Sequence, residues 1–385
     1  GVHKMTIRTL VLSGGGGRGA FHAGVYRYLC QADKPSVDAA HQGAWTPQVV
    51  VGTSIGAVNG AAIAQGASPA DLERFWLSLR ERDMQGLPPS MGPLARVFIN
   101  WFLKRSIGAS LRRVPRGQAL SPPADEAWPP VPGMPAWLAD RLLGRWSNLL
   151  DTAPFYVTLR DRLGLDAAKL SQSDMTLLIN ATNVRTGAGV VFSNHELITP
   201  RTGLPRRDTR VGISLERIMA SCSIPLMYPM TRDTDGSAYW DGALVANTPL
   251  GAAFDAVADY PIETPMEIVV VLLNPWWDDD ANDAAPEHPE MPQDFAEAAT
   301  WTLDWTMLAS FRVSLKMLRA FNAIVAEQRA AGLPQRYREV SVVMVAPAQF
   351  LPVTRIIDYD EPASRELINL GYQAAQRAFR ASFPA

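Results

Sequence analysis

Three consecutive β-branched residues, Val49-Val50-Val51, run into Gly52-Thr53-Ser54-Ile55-Gly56, and an Ala-rich stretch from Ala57 to Gln65 runs out of it. The first run fits a buried strand and the last a helix. Only a tight turn joins the two, and glycines on both sides of Ser54 let the backbone fold beneath it. Strand, tight turn and helix form the setting in which G-x-S-x-G becomes a nucleophile elbow. There the serine takes a strained backbone angle and presents its hydroxyl at a helix N-terminus. The helix dipole favours negative charge developing at that point. The same five residues also suit an ordinary strand-to-helix turn, so the motif needs support from elsewhere in the chain.

A second unit of the same kind precedes it. Ile7 to Leu12 reads as a buried strand and Ala20 to Cys30 as a helix, with Gly14-Gly15-Gly16-Gly17-Arg18-Gly19 between them. Three readings of this loop are open. Gly14, Gly16 and Gly19 fit the G-x-G-x-x-G dinucleotide fingerprint of an oxidoreductase. A glycine loop also presents backbone N–H groups to an oxyanion. The third reading is a loop that simply packs closely, although four successive glycines are entropically costly for a mere turn. The dinucleotide reading needs an acidic residue about 20 positions on, at the end of the second strand. Asp33 and Asp38 have roughly that spacing but belong to a turn-like region around Gln31–Ser36, and the second convincing strand ends instead at Ser54.

Strands and helices alternate through the rest of the chain. Strand-like runs are Met175–Thr182 paired as a hairpin with Gly189–Phe192, then Ala238–Trp240, Met266–Leu273 and Glu339–Val345. Helical stretches are Ser68 to about Arg82, the region after Asp151-Thr152-Ala153-Pro154, Ser214–Cys222, Thr248–Val257, Gln293–Arg329 and Glu361–Phe383. The alternation predicts an α/β fold with a mostly parallel sheet covered on both faces. Residues 86–150 break the pattern, being rich in Pro, Trp and Arg. They read as a helical and Pro-rich insertion over the sheet. Helical spacing joins Leu94, Val97, Phe98, Trp101 and Phe102, and again Leu138, Leu142, Trp146 and Leu149. These stripes suit ordinary core, or a lid or lipid-facing surface beside Lys104, Arg105, Arg112 and Arg113. Residues 276–292 read as an acidic loop.

Composition narrows the function classes. A net charge of −2 gives no electrostatic footprint for nucleic acid. Two cysteines, Cys30 and Cys222, make no disulfide framework, and no cluster has metal-ligand spacing. The absence of a signal-like start and of an apolar run of about 18 residues predicts a cytoplasmic chain, in contact with membranes at most peripherally.

A serine hydroxyl needs a base within hydrogen-bond reach, usually histidine. The chain has five histidines, His3, His22, His41, His195 and His288. In the order nucleophile, acid, histidine only His288 follows both Ser54 and Asp241, and it sits in a loop rich in acidic residues. His195 adjoins the predicted hairpin. Asp241 is the stronger candidate, a carboxylate at a strand end before the small turn Gly242-Ala243, although an aspartate before glycine also caps its own turn.

Taken together, these elements resemble the patatin-like phospholipase family. The glycine loop Gly14–Gly19 matches the family's G-G-G-x-R-G, Gly52–Gly56 its elbow, and Asp241-Gly242-Ala243 its Asp-Gly-Ala/Gly motif. Ala220-Ser221-Cys222-Ser223-Ile224-Pro225 is similar to its A-S-x-x-x-P segment, and Asn247 and Pro249 also fit. The resemblance covers about residues 7 to 255 and is carried by the conjunction of motifs. It implies a three-layer α/β/α sandwich and a Ser54–Asp241 dyad without histidine. It also implies an oxyanion held by amides of Gly15, Gly16 and Gly17, Arg18 as a loop anchor, and lipid acyl hydrolysis that needs no metal or cofactor. A non-catalytic lipid-binding protein on the same fold is the remaining rival.

Overall fold

A computed structural model of the chain describes residues 6–31, 44–107, 110–120, 132–199, 202–277, 286–287, 291–293 and 295–382. Its strands are β1 (Ile7–Leu12), β2 (Val49–Thr53), β3 (Thr176–Asn183), β4 (Gly189–Ser193), β5 (Ile198–Thr199), β6 (Leu204–Pro205), β7 (Thr209–Val211), β8 (Thr231–Arg232), β9 (Ala238–Asp241), β10 (Met266–Val271) and β11 (Val340–Val345). The early helices are α1 (Ala20–Leu29), α2 (Ile55–Ala64), α3 (Pro69–Ser78), α4 (Glu81–Met84), α5 (Pro93–Ile107) and α6 (Ala136–Leu143). They are followed by α7 (Ala153–Asp161), α8 (Ala167–Ser171), α9 (Leu215–Ser221), α10 (Ala243–Ala246), α11 (Leu250–Asp255), α12 (Phe295–Ala330) and α13 (Glu361–Ser382).

Nine strands form one sheet in the order β11-β10-β1-β2-β3-β4-β7, with β9 also on β3 and β8 on β9. The run from β11 to β3 is parallel throughout. Such strands are apolar on both faces because helices cover both sides. Alternate residues confirm the layering. Leu10, Leu12, Val50, Ile179 and Val271 pack with α1, α2, α3 and α13, whereas Ile7, Val11, Val51, Leu178 and Val270 pack with α11 and α12. The result is the three-layer α/β/α sandwich. Beyond β3 the sheet turns mixed: β4 and β9 both run antiparallel to β3.

Two expected helices differ from their sequence patterns. The one starting at Ser68 is capped as expected by Ser68 and Asp71, but it ends at Ser78 because Leu79 turns extended and buries itself completely. The Arg80 guanidinium then caps that end, donating to the Leu77 and Leu79 carbonyls at 3.0 and 2.6 Å. The stripe Leu138, Leu142, Trp146, Leu149 is only half helical. Helix α6 stops at Gly144, whose φ of 72° ends the turn, and Trp146 and Leu149 reach the α5 core from irregular chain. The helical stretch Gln293–Arg329 is one continuous helix of 36 residues, Phe295–Ala330. Most of the acidic stretch 276–292, together with Asp33, Asp38, His3, His41 and His288, lies outside the described residues.

Candidate active site

The site is built at one joint in the sheet. Parallel strand β2 occupies one edge of β3 up to the pair Thr53↔Asn180. Antiparallel β9 takes over the same edge from Asn183 back to the pair Asp241↔Ala181. The C-terminal ends of β2 and β9 therefore meet head to head against consecutive residues of β3. Ser54 leaves β2 at that joint, and Asp241 ends β9 at it. Their side chains lie within hydrogen-bonding reach of each other, and both residues are buried.

Ser54 carries φ 55° and ψ −127°, a region costly for a residue with a Cβ. Close packing holds it there. A Cβ on Gly52 would sit 2.4 Å from the Gly56 carbonyl oxygen, and one on Gly56 would sit 2.2 Å from the Leu12 carbonyl oxygen, so neither position admits a side chain. The Ser54 amide donates to Ser221 Oγ at 2.8 Å, and that hydroxyl donates onward to the Asn180 carbonyl at 2.6 Å. Asn180 holds the other half of the joint as well, its Nδ2 donating to the carbonyls of Gly242 and Ala246 at 3.1 and 2.9 Å. One residue in the middle of β3 thus touches both approaches to the site.

The Asp241 carboxylate accepts the Ala243 amide at 2.8 Å. Burial nevertheless dominates and raises its pKa to about 7, against the smaller opposing effects of the Ser54 and Ala243 hydrogen bonds. Cys222 is the third group at the joint. Burial first, then the Asp241 charge, push its thiol well up, with a Ser54 hydrogen bond acting the other way, so it stands beside the serine as a neutral thiol. The pocket at Ser54 is closed down to about 20 Å³ and is lined by Gly16, Ile55, Phe155, Ile224, Tyr228 and Tyr359 among others.

The glycine loop lies against the same point. Gly14 is clamped by Asn247: its amide donates to Asn247 Oδ1 at 3.0 Å, and Asn247 Nδ2 returns a bond to the Gly14 carbonyl at 3.4 Å. A single 3₁₀ turn runs from Gly16 to Gly19, with Gly16 at φ 58° against the Ile356 carbonyl. The Gly14 amide is therefore already engaged, whereas those of Gly15 and Gly16 make no hydrogen bond to described residues. Gly17 packs against the Arg355 and Asp358 carbonyls, and the Gly19 carbonyl accepts Asn59 Nδ2 at 2.9 Å.

Arg18 points away from the loop's open side into the protein, 1% exposed. It makes a two-pronged ion pair with Asp304 of α12, at 3.0 and 3.2 Å, and donates to Asn274 and to the Leu351 carbonyl. Both of its terminal nitrogens are spent on internal partners, which ties the loop to α12.

Neither described histidine touches the joint. His22 is fully buried against Asn59, and burial lowers its pKa to about 3, so it is neutral. His195 bonds the Ser173 carbonyl beside the N-terminal end of β3, the end of the strand opposite the Asn180–Ala181 joint. Among the described residues no group of His, Cys, Asp and Glu is arranged to hold a metal ion, and no helix is long and apolar enough to cross a membrane. Asn180, Ser221 and Asn247 are the residues of the site whose roles sequence reasoning did not assign. Ser221 and Asn247 lie in the motif blocks around 220–225 and 241–249, while Asn180 carries no motif at all.

The family model for patatin-like phospholipase matches residues 10–254. No curated protein matches the sequence directly. Among solved structures, the crystal structure of VipD from Legionella pneumophila is similar at 11% identity, covering 98% of this chain and 67% of that one with a TM-score of 0.39.

Two stability outcomes follow from this geometry. Asp304→Ala leaves the buried Arg18 charge without its carboxylate and should cost about 3–5 kcal/mol, read as a lowered urea midpoint at unchanged slope. Asp241 binds its proton more tightly folded than unfolded, so the folded state loses stability as pH rises from about 4 through about 7. Asp241→Asn should remove that part of the decline. Thermal melts of the two proteins should diverge toward pH 8 in favour of the variant, and parallel profiles would contradict the raised pKa.

Proposed function

The chain belongs to the patatin-like phospholipase family, and from that membership we propose that it hydrolyses acyl esters of lipids with Ser54 as nucleophile and Asp241 as base. The family supports lipid acyl hydrolysis in general. The observation that supports these two residues is the joint on β3, which brings a strained serine and a buried carboxylate together with no histidine beside them among the described residues.

In this mechanism the Ser54 hydroxyl attacks the ester carbonyl carbon and its proton passes to Asp241. A carboxylate with a pKa near 7 is a better acceptor than an ordinary one, because its basicity is closer to the working pH. The tetrahedral oxyanion takes hydrogen bonds from the unengaged amides of Gly15 and Gly16, assisted by the N-terminus of α2. Collapse expels the alcohol, which leaves with the proton from Asp241, and Ser54 remains acylated. Asp241 then removes a proton from water, the resulting hydroxide attacks the acyl carbon, and the acid departs as the proton returns to Ser54. Arg18 and Asn247 hold the loop in place and take no part in the chemistry. The scheme requires no metal or cofactor.

The substrate is a phospholipid, as for a phospholipase A, or a simpler carboxylic ester. A pocket of about 20 Å³ does not admit an acyl chain, so the walls must part. Residues 86–150 are the candidate cover: Met84 and Thr152, which flank that segment, both line the pocket. The dinucleotide reading finds less support. The second strand ends in Thr53-Ser54 with no acidic residue for a ribose, and Gly16 and Gly17 are packed against the 355–358 backbone.

Ser54→Ala should abolish labelling by a fluorophosphonate and lower p-nitrophenyl ester turnover at least about a thousandfold. Asp241→Asn should lower turnover comparably while the protein stays folded. For the unaltered chain, kcat/KM should rise with pH up to about 7 and level off above it, as Asp241 loses its proton. Full turnover in Asp241→Asn would remove the dyad from consideration.

A further inference from the structure

Helix α5 is apolar on two opposite faces. Ala95, Ile99 and Leu103, spaced four apart, are buried in a small core with Leu87, Met91, Leu111, Leu150 and Tyr228. The other face carries Leu94, Val97, Phe98 and Trp101, which are 50%, 65%, 62% and 59% exposed. These recur at three- and four-residue steps and so form one stripe along the helix. Phe98 and Trp101 lie with ring centroids 6.2 Å apart, making a continuous aromatic surface. A helix apolar all round is ordinarily covered, and a contiguous exposed patch of this kind marks an interaction site.

Charge identifies what covers it. The stripe ends in Lys104 and Arg105, both exposed, at the helix C-terminus. Arg112 and Arg113 follow in the exposed chain that pairs with Leu87. Burial, and after it the charges of Arg96 and Arg116, push the Arg113 pKa down. None of these cations is paired with a carboxylate among the described residues. Aromatic and aliphatic side chains beside unpaired Lys and Arg suit the interface of a bilayer with negatively charged headgroups. At about 1.5 Å per residue a helix of 15 residues is about 22 Å long, short of the roughly 30 Å hydrocarbon core, so it would lie along the surface.

We infer that the outer face of α5 is a docking surface for an anionic lipid bilayer. This goes beyond the hydrolase reading and does not depend on it, since binding needs neither Ser54 nor Asp241. It also places the membrane on the far side of the wall that closes the serine pocket. Ile224 and Tyr228 line that pocket and at the same time pack in the core beneath α5. A lipid surface that draws α5 outward would relax the same wall.

The test uses the full chain carrying Ser54→Ala, so that no lipid is consumed, sedimented with phosphatidylcholine vesicles or with vesicles also containing phosphatidylglycerol. Binding should be confined largely to the anionic vesicles and should weaken as salt is raised. The double variant Phe98→Asp, Trp101→Asp should bind about a hundredfold more weakly or worse. Lys104→Glu, Arg105→Glu should lose at least about tenfold on the anionic vesicles. All four side chains are exposed, so both variants should keep the parent's circular dichroism and, with Ser54 intact, its turnover of a soluble short-chain ester. Equal binding to neutral and anionic vesicles, or undiminished binding by either double variant, would overturn the inference. So would a parent chain that self-associates through this face and becomes monomeric when Phe98 and Trp101 are replaced. Loss of ester turnover in Ser54→Ala without any vesicle binding would leave the hydrolase reading standing and remove this one alone.

Discussion

The structure depends on a division of labour along one edge of one strand. Two strands from distant parts of the chain share that edge of β3, one parallel and one antiparallel, and their ends meet between Asn180 and Ala181. Sheet register is discrete, since a slip by one residue turns every side chain to the other face. The meeting of Ser54 and Asp241 therefore inherits the precision of the backbone ladder, and side-chain flexibility contributes little to it. Asn180 strengthens this: its side chain bonds the Gly242 and Ala246 carbonyls just after β9, and its carbonyl accepts the Ser221 hydroxyl that holds the Ser54 amide.

The arrangement costs stability in two places. Ser54 holds an unfavourable backbone conformation, and Asp241 is buried with its basicity raised. Both costs are of the kind that persists only where the surroundings over-determine the geometry. Here those surroundings are the close packing of Gly52 and Gly56 against neighbouring backbone, the Ser221 hydroxyl under the Ser54 amide, and the Asn247 clamp on Gly14. The two-pronged Arg18–Asp304 pair extends the same rigidity to the glycine loop from the opposite layer of the sandwich.

Local features of this plan are legible in the sequence. The β1 strand has the bounds its apolar run predicts, Ile7–Leu12, and the turn at Ser54 joins a strand to a helix as Val49–Val51 and the Ala-rich run require. Period and turn chemistry act over a few residues, and a few residues suffice to read them. Partnerships across the chain are not legible in this way. Nothing about Asn180 in an apolar strand marks it as the residue between two motifs. Nothing in the α12 sequence singles out Asp304 as the partner of Arg18. Helix ends depart from the periodic pattern where a buried side chain, Leu79, or a positive-φ glycine, Gly144, overrides it. The cations beside the α5 stripe are plain in the sequence, but only the structure separates its buried from its exposed face.

The order in which these parts leave the ribosome gives the joint on β3 a further meaning. The bend that carries Ser54 is made from the first sixth of the chain, while β9 emerges only after more than half of it, and the carboxylate that anchors Arg18 later still. On the proposed mechanism, a nascent chain carries its nucleophile long before the group that would deprotonate it. A fragment that stops short of Asp241 would, on that mechanism, carry the serine without its base.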